Sequence, residues 1–298
     1  MSTSSWQQIN CHCNKSFQDE ICKCMESADA LSITWQDAGD TPVLEPLPGE
    51  TPLWDDLIIT ALFAGDIDIS KLQDTLEANK QRWQISKNVI ETIEDQDWER
   101  AWMEDFHPMK FGENLWIYPS WNEVPDDDST KIILDPGLAF GSGTHPTTAM
   151  CLEWLDANPP KGLSVIDYGC GSGILAIAAA KLGARKILAT DIDKQALIAT
   201  RDNMQKNHIA DNAIETCFPD ALNKDPVDLL IANILSGPLV ELATTFSQLC
   251  KTSGTIVLSG ILEEQTNSIK EAYNEYFDNI MVAQKENWIR ITGIRRTY

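Results

Sequence analysis

A glycine-rich turn is the strongest chemical signal in the sequence. Gly169, Gly171 and Gly173 lie in segment 165–175, VIDYGCGSGIL, where an apolar run gives way to helical spacing. Glycines let a backbone bend tightly and approach a ligand closely. The spacing is G-x-G-x-G and residue 174 is Ile, whereas a dinucleotide fingerprint needs glycine or alanine there. The turn therefore predicts a nucleotide-like ligand but disfavours a nicotinamide cofactor.

Two aspartates beside this turn indicate the charge and the sugar of that ligand. Asp167 stands two residues before Gly169, where a carboxylate would repel a pyrophosphate and attract the ammonium and sulfonium groups of S-adenosylmethionine. Asp191 follows Gly169 by 22 residues, the distance at which an acidic side chain binds ribose hydroxyls. We assign Asp193 to capping the next helix. These residues predict S-adenosylmethionine as the cofactor and methyl transfer as the reaction.

Asn233 is the polar residue that we expect to face the reacting amine. It ends the apolar strand in segment 228–238, DLLIANILSGP, over the crevice where ligands bind in open parallel sheets. Its amide oxygen, or a nearby carbonyl, can accept a hydrogen bond from a substrate amine and aim the nitrogen lone pair. The alternative is that Asn233 only caps the turn.

Segment 134–148, LDPGLAFGSGTHPTT, predicts a loop that closes over a ligand. Phe140 lies among glycines, and Pro146 suits the first turn of a following helix. Thr147 and Thr148 therefore lie near a helix N-terminus, where their hydroxyl and amide groups can bind a carboxylate.

The apolar pattern after residue 107 places these motifs on a parallel sheet. Strands are predicted at 164–167, 186–190, 227–232 and 255–259, helices at 174–182, 194–207, 239–249 and 263–276, and two more strands within 278–297. Such alternation indicates a mostly parallel, doubly wound sheet. We predict an α/β domain over 107–298 with the Rossmann-like fold of class I methyltransferases.

The first 93 residues predict a smaller α+β domain. Strand, helix, strand, strand, helix and strand are expected at 6–13, 16–28, 31–35, 57–63, 70–78 and 83–93. This order is that of ferredoxin-like domains, which carry no chemistry by themselves, so we assign 1–93 to substrate recognition. Trp98, Trp102 and Phe106 recur every four residues and predict a linker helix over 94–106.

The net charge of −22 is concentrated in the first part of the chain. Residues 1–105 hold 21 acidic and 7 basic side chains, a net charge of −14. An acidic surface serves solubility, or it attracts a basic partner. Direct binding of nucleic acid is not expected, because phosphate contacts need clustered lysine and arginine.

The cysteine spacing and the lengths of the apolar runs argue against a zinc-binding protein and against a membrane protein. Cys11 and Cys13 form a C-x-C pair, which differs from the C-x₂₋₄-C spacing of most structural zinc sites. On a strand they would share one face as small buried hydrophobes, so we predict no metal site. The start lacks the features of a secretory signal, and no apolar run approaches the roughly 18 residues of a membrane span. We expect a cytoplasmic protein without membrane contact.

Taken together, these motifs resemble the PrmA family of bacterial methyltransferases, which modify the large-subunit ribosomal protein eleven. The resemblance is carried by segments 134–148, 165–174, 189–193 and 232–238, and by 45–50, 97–100, 258–262 and 288–293. Ser142 stands where the family pattern has Thr. The resemblance implies cofactor contacts at Thr148, Gly169, Asp191 and Asn233. It also implies that the N-terminal domain grips the basic ribosomal protein while the other domain methylates several lysines and the terminal amine.

The mechanism requires a neutral amine in line with the methyl group. A free lysine has a pKa near 10.4, but an adjacent sulfonium and a desolvating pocket both lower it, so a dedicated base is not required. His145 is the candidate if a base exists; His107 and His208 are expected to be structural. Alternatives are a related methyltransferase with another protein or small-amine substrate, a non-catalytic adenosyl-binding module and a nicotinamide dehydrogenase.

Overall fold

The computed structural model describes residues 5–39, 54–94, 107–135, 145–210, 212–222 and 225–297. The chain divides into two compact units, Met1–Glu104 and Asp105–Tyr298. Phe140 and the rest of the glycine-rich loop up to residue 144 lie outside the described residues. The predicted linker helix falls there too, apart from Glu94, which belongs to a strand.

The described residues of the first unit form one four-stranded antiparallel sheet and two α-helices. Its elements are β1 (Ser5–Asn14), α1 (Gln18–Ser27), β2 (Ser32–Asp37), β3 (Asp56–Ala64), α2 (Ser70–Ala78) and β4 (Lys87–Glu94). The strands lie in the order β2-β3-β1-β4. The predicted order of the six elements is confirmed, with α1 starting two residues later than expected, after a turn of 3₁₀ helix at Lys15–Phe17.

Alternation along β1 and β3 explains the core of this unit. Ile9, Cys11 and Cys13 are buried on one face of β1, and the intervening residues are only partly buried. They pack with α1 residues such as Ile21 in one apolar cluster. The prediction that these cysteines are buried hydrophobes is thus confirmed. The prediction that a strand starts at Trp83 is wrong, because Gln84 adopts a positive φ of 49° and the chain turns before β4.

The second unit begins with a small sheet of three strands. These are β5 (Met109–Phe111), β6 (Leu115–Tyr118) and β7 (Thr130–Ile133). β5 pairs with β6 in antiparallel fashion, and β6 pairs with β7 in parallel. Asn207, the residue that follows the helix Lys194–Lys206, holds this sheet in place, because its side-chain amide exchanges hydrogen bonds with the backbone of Ile133 at 2.7 and 2.8 Å.

The main sheet has seven strands in the order β10-β9-β8-β11-β12-β14-β13. The strands are β8 (Ser164–Tyr168), β9 (Lys186–Thr190), β10 (Ile214–Cys217), β11 (Val227–Asn233), β12 (Cys250–Leu262), β13 (Phe277–Lys285) and β14 (Trp288–Arg295). The helices are α3 (Pro146–Ala157), α4 (Ile174–Lys181), α5 (Lys194–Lys206), α6 (Ser236–Glu241), α7 (Ala243–Leu249) and α8 (Thr266–Tyr273). β14 is antiparallel to both of its neighbours, and the other pairings are parallel.

Helices cover both faces of this sheet, which confirms the predicted doubly wound architecture. Neighbouring residues of one strand belong to opposite cores: Val165 packs in one apolar cluster and Ile166 in the other. Burial on both faces explains why the central strands read as continuous apolar runs. Within the described part of the chain, no helix has the length and apolar character needed to span a membrane.

Several element boundaries differ from the predictions for physical reasons. The strand β10 was not predicted, because it has four residues and only Ile214 is fully buried. The helix expected at 239–249 is two helices, α6 and α7, with a break at Leu242. The helix expected at 263–276 is a 3₁₀ turn, Glu263–Gln265, followed by α8, which ends at Tyr273.

Candidate functional site

The predicted motif residues meet at one edge of the main sheet. Because β8, β9 and β11 are parallel neighbours, their carboxyl ends bring Asp167, Asp191 and Asn233 to the same side. The carboxyl edge of an open α/β sheet is where ligands bind in this class of fold.

The glycine-rich turn between β8 and α4 requires its glycines for conformational reasons. Gly169, Gly171 and Gly173 all have positive φ, at 79°, 53° and 78°. A Cβ at Gly169 would overlap the side chain of Ile234, and one at Gly173 would lie 2.7 Å from Thr200 Cγ2. The turn is therefore both left-handed and tightly packed, and its backbone is available to a ligand on the remaining side.

Helix α5 fixes this turn from behind through two polar side chains that sequence analysis did not identify. The Thr200 hydroxyl donates to the carbonyl of Gly171 at 3.1 Å. Asn203 Nδ2 donates to the carbonyl of Ser172 at 2.9 Å. Both side chains are buried and lie about 30 residues from the turn, so only their position on the buried face of an amphipathic helix could have suggested them.

Asp191 connects the end of β9 to the turn. Its Oδ2 accepts from the amide of Gly171 at 2.9 Å, and its Oδ1 accepts from the amide of Asp193 at 2.9 Å. Each carboxylate oxygen has two lone pairs, so both retain capacity for a further donor such as a sugar hydroxyl. Asp193 Oδ1 accepts from the amide of Gln195 at 2.9 Å and caps α5, as predicted.

Asp167 differs from Asp191 in two ways: it is deeply buried, and only one of its two carboxylate oxygens accepts a hydrogen bond from the described residues. It is 1% exposed, and its Oδ2 accepts from the amide of Ala176, in the first turn of α4, at 3.0 Å. Its Oδ1 is buried and has no hydrogen-bond partner within the described residues. Burial raises the pKa of Asp167 to about 7, with a smaller contribution from Asp191. A buried carboxylate in this condition requires a proton or a cation.

Asn233 and Thr148 form the second polar element of the site. Asn233 Nδ2 donates to the hydroxyl of the buried Thr148 at 3.1 Å, which joins the end of β11 to the first turn of α3. The Asn233 Oδ1 accepts no hydrogen bond from the described residues. Its orientation leaves this oxygen available to an amine donor.

His145 lies at the N-terminus of α3 and caps it. Its Nδ1 accepts from the Thr147 amide at 3.4 Å and lies 2.7 Å from the Thr147 hydroxyl. The ring packs edge-on against Trp288, with 4.7 Å between centroids. Burial lowers the pKa of His145, and Glu286 opposes the change. The imidazole is therefore neutral near pH 7, and Pro146 occupies the first turn of the helix as predicted.

Exposed apolar side chains at the same edge were not identified from the sequence. Ile192, directly after Asp191, is 85% exposed, and Leu235, two residues after Asn233, is 56% exposed. Phe218, which follows β10, is also exposed. Large apolar side chains that face water at a sheet's ligand edge fit the flat or aliphatic part of a ligand.

The charges and hydrogen-bonding groups at this edge of the sheet fit S-adenosylmethionine. The unpartnered Asp167 oxygen suits a cation, Asp191 can accept from sugar hydroxyls, and the left-handed turn allows close approach of a ligand. Among the described residues, no group of three or more His, Cys, Asp and Glu side chains is arranged to bind a metal ion.

Comparison with known proteins identifies the family. The sequence model of ribosomal protein L11 methyltransferase (PrmA) matches residues 5–296. Ribosomal protein L11 methyltransferases from Shewanella sediminis and Haemophilus influenzae are each 48% identical, over 98% of this chain and 99% of the relative. The crystal structure of a ribosomal protein L11 methylase from Lactobacillus delbrueckii is 35% identical, with a TM-score of 0.59, and covers 64% of this chain and 100% of that chain.

These matches confirm the predicted fold class and the predicted cofactor, S-adenosylmethionine. They agree with the resemblance carried by the loop 134–148, the glycine-rich turn and the ends of β9 and β11. The chain belongs to the PrmA family of ribosomal protein L11 methyltransferases.

Proposed function

We propose that this protein transfers methyl groups from S-adenosylmethionine to lysine side chains and the N-terminal amine of ribosomal protein L11. The observation that carries the proposal is the Oδ1 of Asn233, which accepts no hydrogen bond from the described residues while the Nδ2 of the same side chain donates to Thr148. An acceptor at this position suits an amine, which must present N–H groups to the protein and its lone pair to the methyl group.

The cofactor would be held by residues from four segments: the loop 134–148, the glycine-rich turn, the end of β9, and Asn233 at the end of β11. Asp191 would accept from the ribose, and Asp167 would face the cationic groups. Gly169, Gly171 and Thr148 would supply close backbone and hydroxyl contacts. Thr147 and Phe140, which lies outside the described residues, complete the proposed set. When bound, the cofactor supplies an electrophilic methyl group.

The protein's own contribution is to orient and desolvate the amine. Asn233 aligns the nitrogen, and proximity then supplies much of the rate. Neutral amines are favoured where water is excluded and a positive charge is near, so no base is required. His145 remains the proposed base if one acts; its Nδ1 accepts from the amide of Thr147.

The first unit would recognise the protein substrate. Residues 1–105 carry a net charge of −14, and a ribosomal protein is expected to be basic because it binds phosphates. Opposite potentials speed the encounter with such a partner, whereas the acidic surface repels the phosphates of nucleic acid, so direct binding of nucleic acid is not expected. The proposed location is the cytoplasm, where unmodified ribosomal protein is available.

Peptide mapping tests the substrate and the type of amine together. Unmodified L11 is incubated with the enzyme and labelled S-adenosylmethionine, and the methylated positions are mapped by mass spectrometry. The expected result is label on lysine nitrogens and on the N-terminal nitrogen. Label confined to other side chains, or absent from L11 while a small amine is methylated, contradicts the proposal.

A truncated protein tests the division of labour. A chain that begins near residue 94 should retain S-adenosylmethionine binding and lose most L11 methylation. Because the chain divides into two compact units, we expect the second unit to fold by itself. Circular dichroism of the truncated protein checks this before activity is measured. Full activity of the folded truncated protein toward L11 would contradict recognition by the first unit.

A further inference from the structure

The two aspartates of the cofactor edge differ in how their charges are compensated. Both oxygens of Asp191 accept amide hydrogen bonds, and its side chain is partly exposed to water. Asp167 has one amide donor, from Ala176, and one buried oxygen without a partner among the described residues. No lysine or arginine of the described residues forms an ion pair with it.

The groups that face Asp167 do not supply a compensating positive charge. Asp191 faces it from β9, Cys170 from the glycine-rich turn and Cys151 from α3. Burial raises the pKa of both thiols, so they are neutral near pH 7. Among the described residues, the ionised group that acts on Asp167 is thus another carboxylate, Asp191, and two carboxylates in one site favour a proton on one of them.

We propose that Asp167 carries a proton in the cofactor-free enzyme and releases it when S-adenosylmethionine binds. The ligand's ammonium and sulfonium groups then replace that proton as the compensating charge. This inference rests on the proposed role of Asp167 in cofactor binding, and it is independent of which protein is methylated.

The same exchange distinguishes the cofactor from its demethylated product. S-adenosylmethionine carries a net charge of +1, whereas S-adenosylhomocysteine has lost the sulfonium and is neutral overall. The product therefore compensates Asp167 less well, and the carboxyl group takes up a proton again. At a pH above about 7, where protonation costs free energy, the enzyme favours the cofactor over the product.

Titration calorimetry in buffers of different ionisation enthalpy measures the number of protons released when the ligand binds. At pH 6 the wild-type enzyme should release close to one proton on binding S-adenosylmethionine and markedly fewer on binding S-adenosylhomocysteine. At pH 6 the ligand's own amino group, with a pKa near 7.7–8.0, stays protonated and does not contribute. Affinity for S-adenosylmethionine should rise nearly tenfold per pH unit below the pKa of Asp167, which lies at about 7, and level off above it.

Asp167→Asn is the matched variant. Its amide oxygen can still accept from Ala176, so the first turn of α4 remains capped, but it has no proton to release. We expect no proton release from this residue and a flat pH profile of affinity between pH 5.5 and 7. A thermal unfolding curve confirms that the variant is folded. Asp228→Asn, at the opposite edge of the sheet, should bind S-adenosylmethionine with the wild-type affinity and the wild-type proton release.

Three results would overturn the inference. These are absence of proton release by the wild-type enzyme at pH 6, equal release by Asp167→Asn, and equal release on binding of cofactor and product. These experiments measure ligand binding alone. A failure to methylate L11 would therefore contradict the proposed function without affecting the conclusion about the proton on Asp167.

Discussion

The two edges of the seven-stranded sheet use aspartate side chains in opposite ways. At the amino edge, Asp228 accepts from the amide and hydroxyl of Ser164 at 2.9 and 2.7 Å and pairs with Lys251 at 2.7 Å. Burial raises its pKa, but hydrogen bonds from Lys251 and Ser164 outweigh this effect and lower the pKa to about 2. At the carboxyl edge, Asp167 has one donor, and its pKa is raised to about 7.

The comparison separates structural carboxylates from ligand-binding ones. Asp228 joins the starts of β8, β11 and β12 and has its partners within the protein. One oxygen of Asp167 has no hydrogen-bond partner in the described part of the chain, so it remains available to a ligand. Destabilised polar groups of this kind concentrate at functional sites, where stability is exchanged for binding.

Asn233→Ala should give the largest effect on catalysis. Loss of the acceptor removes the alignment of the amine, and misplacement of a reacting group costs about 10²-fold in rate. We expect kcat for L11 methylation to fall by about that factor while the melting temperature changes little. Single-turnover kinetics with saturating cofactor measures the effect, and an unchanged kcat would remove Asn233 from the proposed mechanism.

Asp191→Ala tests cofactor binding, with Asp193→Ala as its neighbour control. Loss of a charged acceptor should weaken S-adenosylmethionine binding by about 1.5–3 kcal/mol. Asp193 caps α5, so its alanine variant should lose about 1 kcal/mol of folding stability and leave cofactor affinity unchanged. Calorimetry and urea unfolding measure the two effects. The ribose assignment fails if the folded Asp191 variant binds the cofactor as tightly as wild type.

Asp228→Asn tests the amino edge of the sheet through the pH dependence of the free energy of unfolding. The pKa of Asp228 is about 2 in the folded protein, below the unfolded value of 3.8, so its contribution is complete above pH 4 and disappears as the pH falls through 2. Because Lys251 is partly exposed, we expect a loss of about 1 kcal/mol at pH 7. Unfolding curves at pH 7 and pH 3 measure it; an equal loss at both values would exclude the ionised carboxylate as the cause.

Ionic strength tests the role of the net negative charge of residues 1–105, which is spread over many side chains and differs in this from the single carboxylates of the two sheet edges. Raising salt shortens the Debye length from about 10 Å at 0.1 M to about 3 Å at 1 M. We expect kcat/KM for L11 to fall several-fold across this range, and cofactor affinity to change much less because its contacts are local. Equal salt dependence of the two would assign the acidic surface to solubility alone.

Sequence patterns predicted the parts of the site that are local in the chain. The glycine-rich turn, the aspartate at the end of β9, the Asp193 cap and Pro146 in the first turn of α3 each depend on a few consecutive residues. The order of most strands and helices followed from apolar runs and alternation, although the short strand β10 was missed. The family followed from the combination of these motifs.

The parts that sequence could not provide depend on distant contacts. Thr200 and Asn203 reach the glycine-rich turn from another helix, and Trp288 meets His145 from the last strand. The free oxygen of Asp167 is visible only once burial is known. Errors in boundaries came from local conformation, as where Gln84 turns left-handed before β4.

Thermal unfolding with and without saturating S-adenosylmethionine tests the difference between the two edges most directly. Binding to the folded state raises the melting temperature, so the shift reports on the site and the baseline reports on the fold. Asp191→Ala should lose most of the shift, and its baseline should fall only as far as the loss of two amide hydrogen bonds requires, whereas Asp228→Asn should lower the baseline and keep the full shift. A lost shift in Asp228→Asn, or a full shift in Asp191→Ala, would contradict the account.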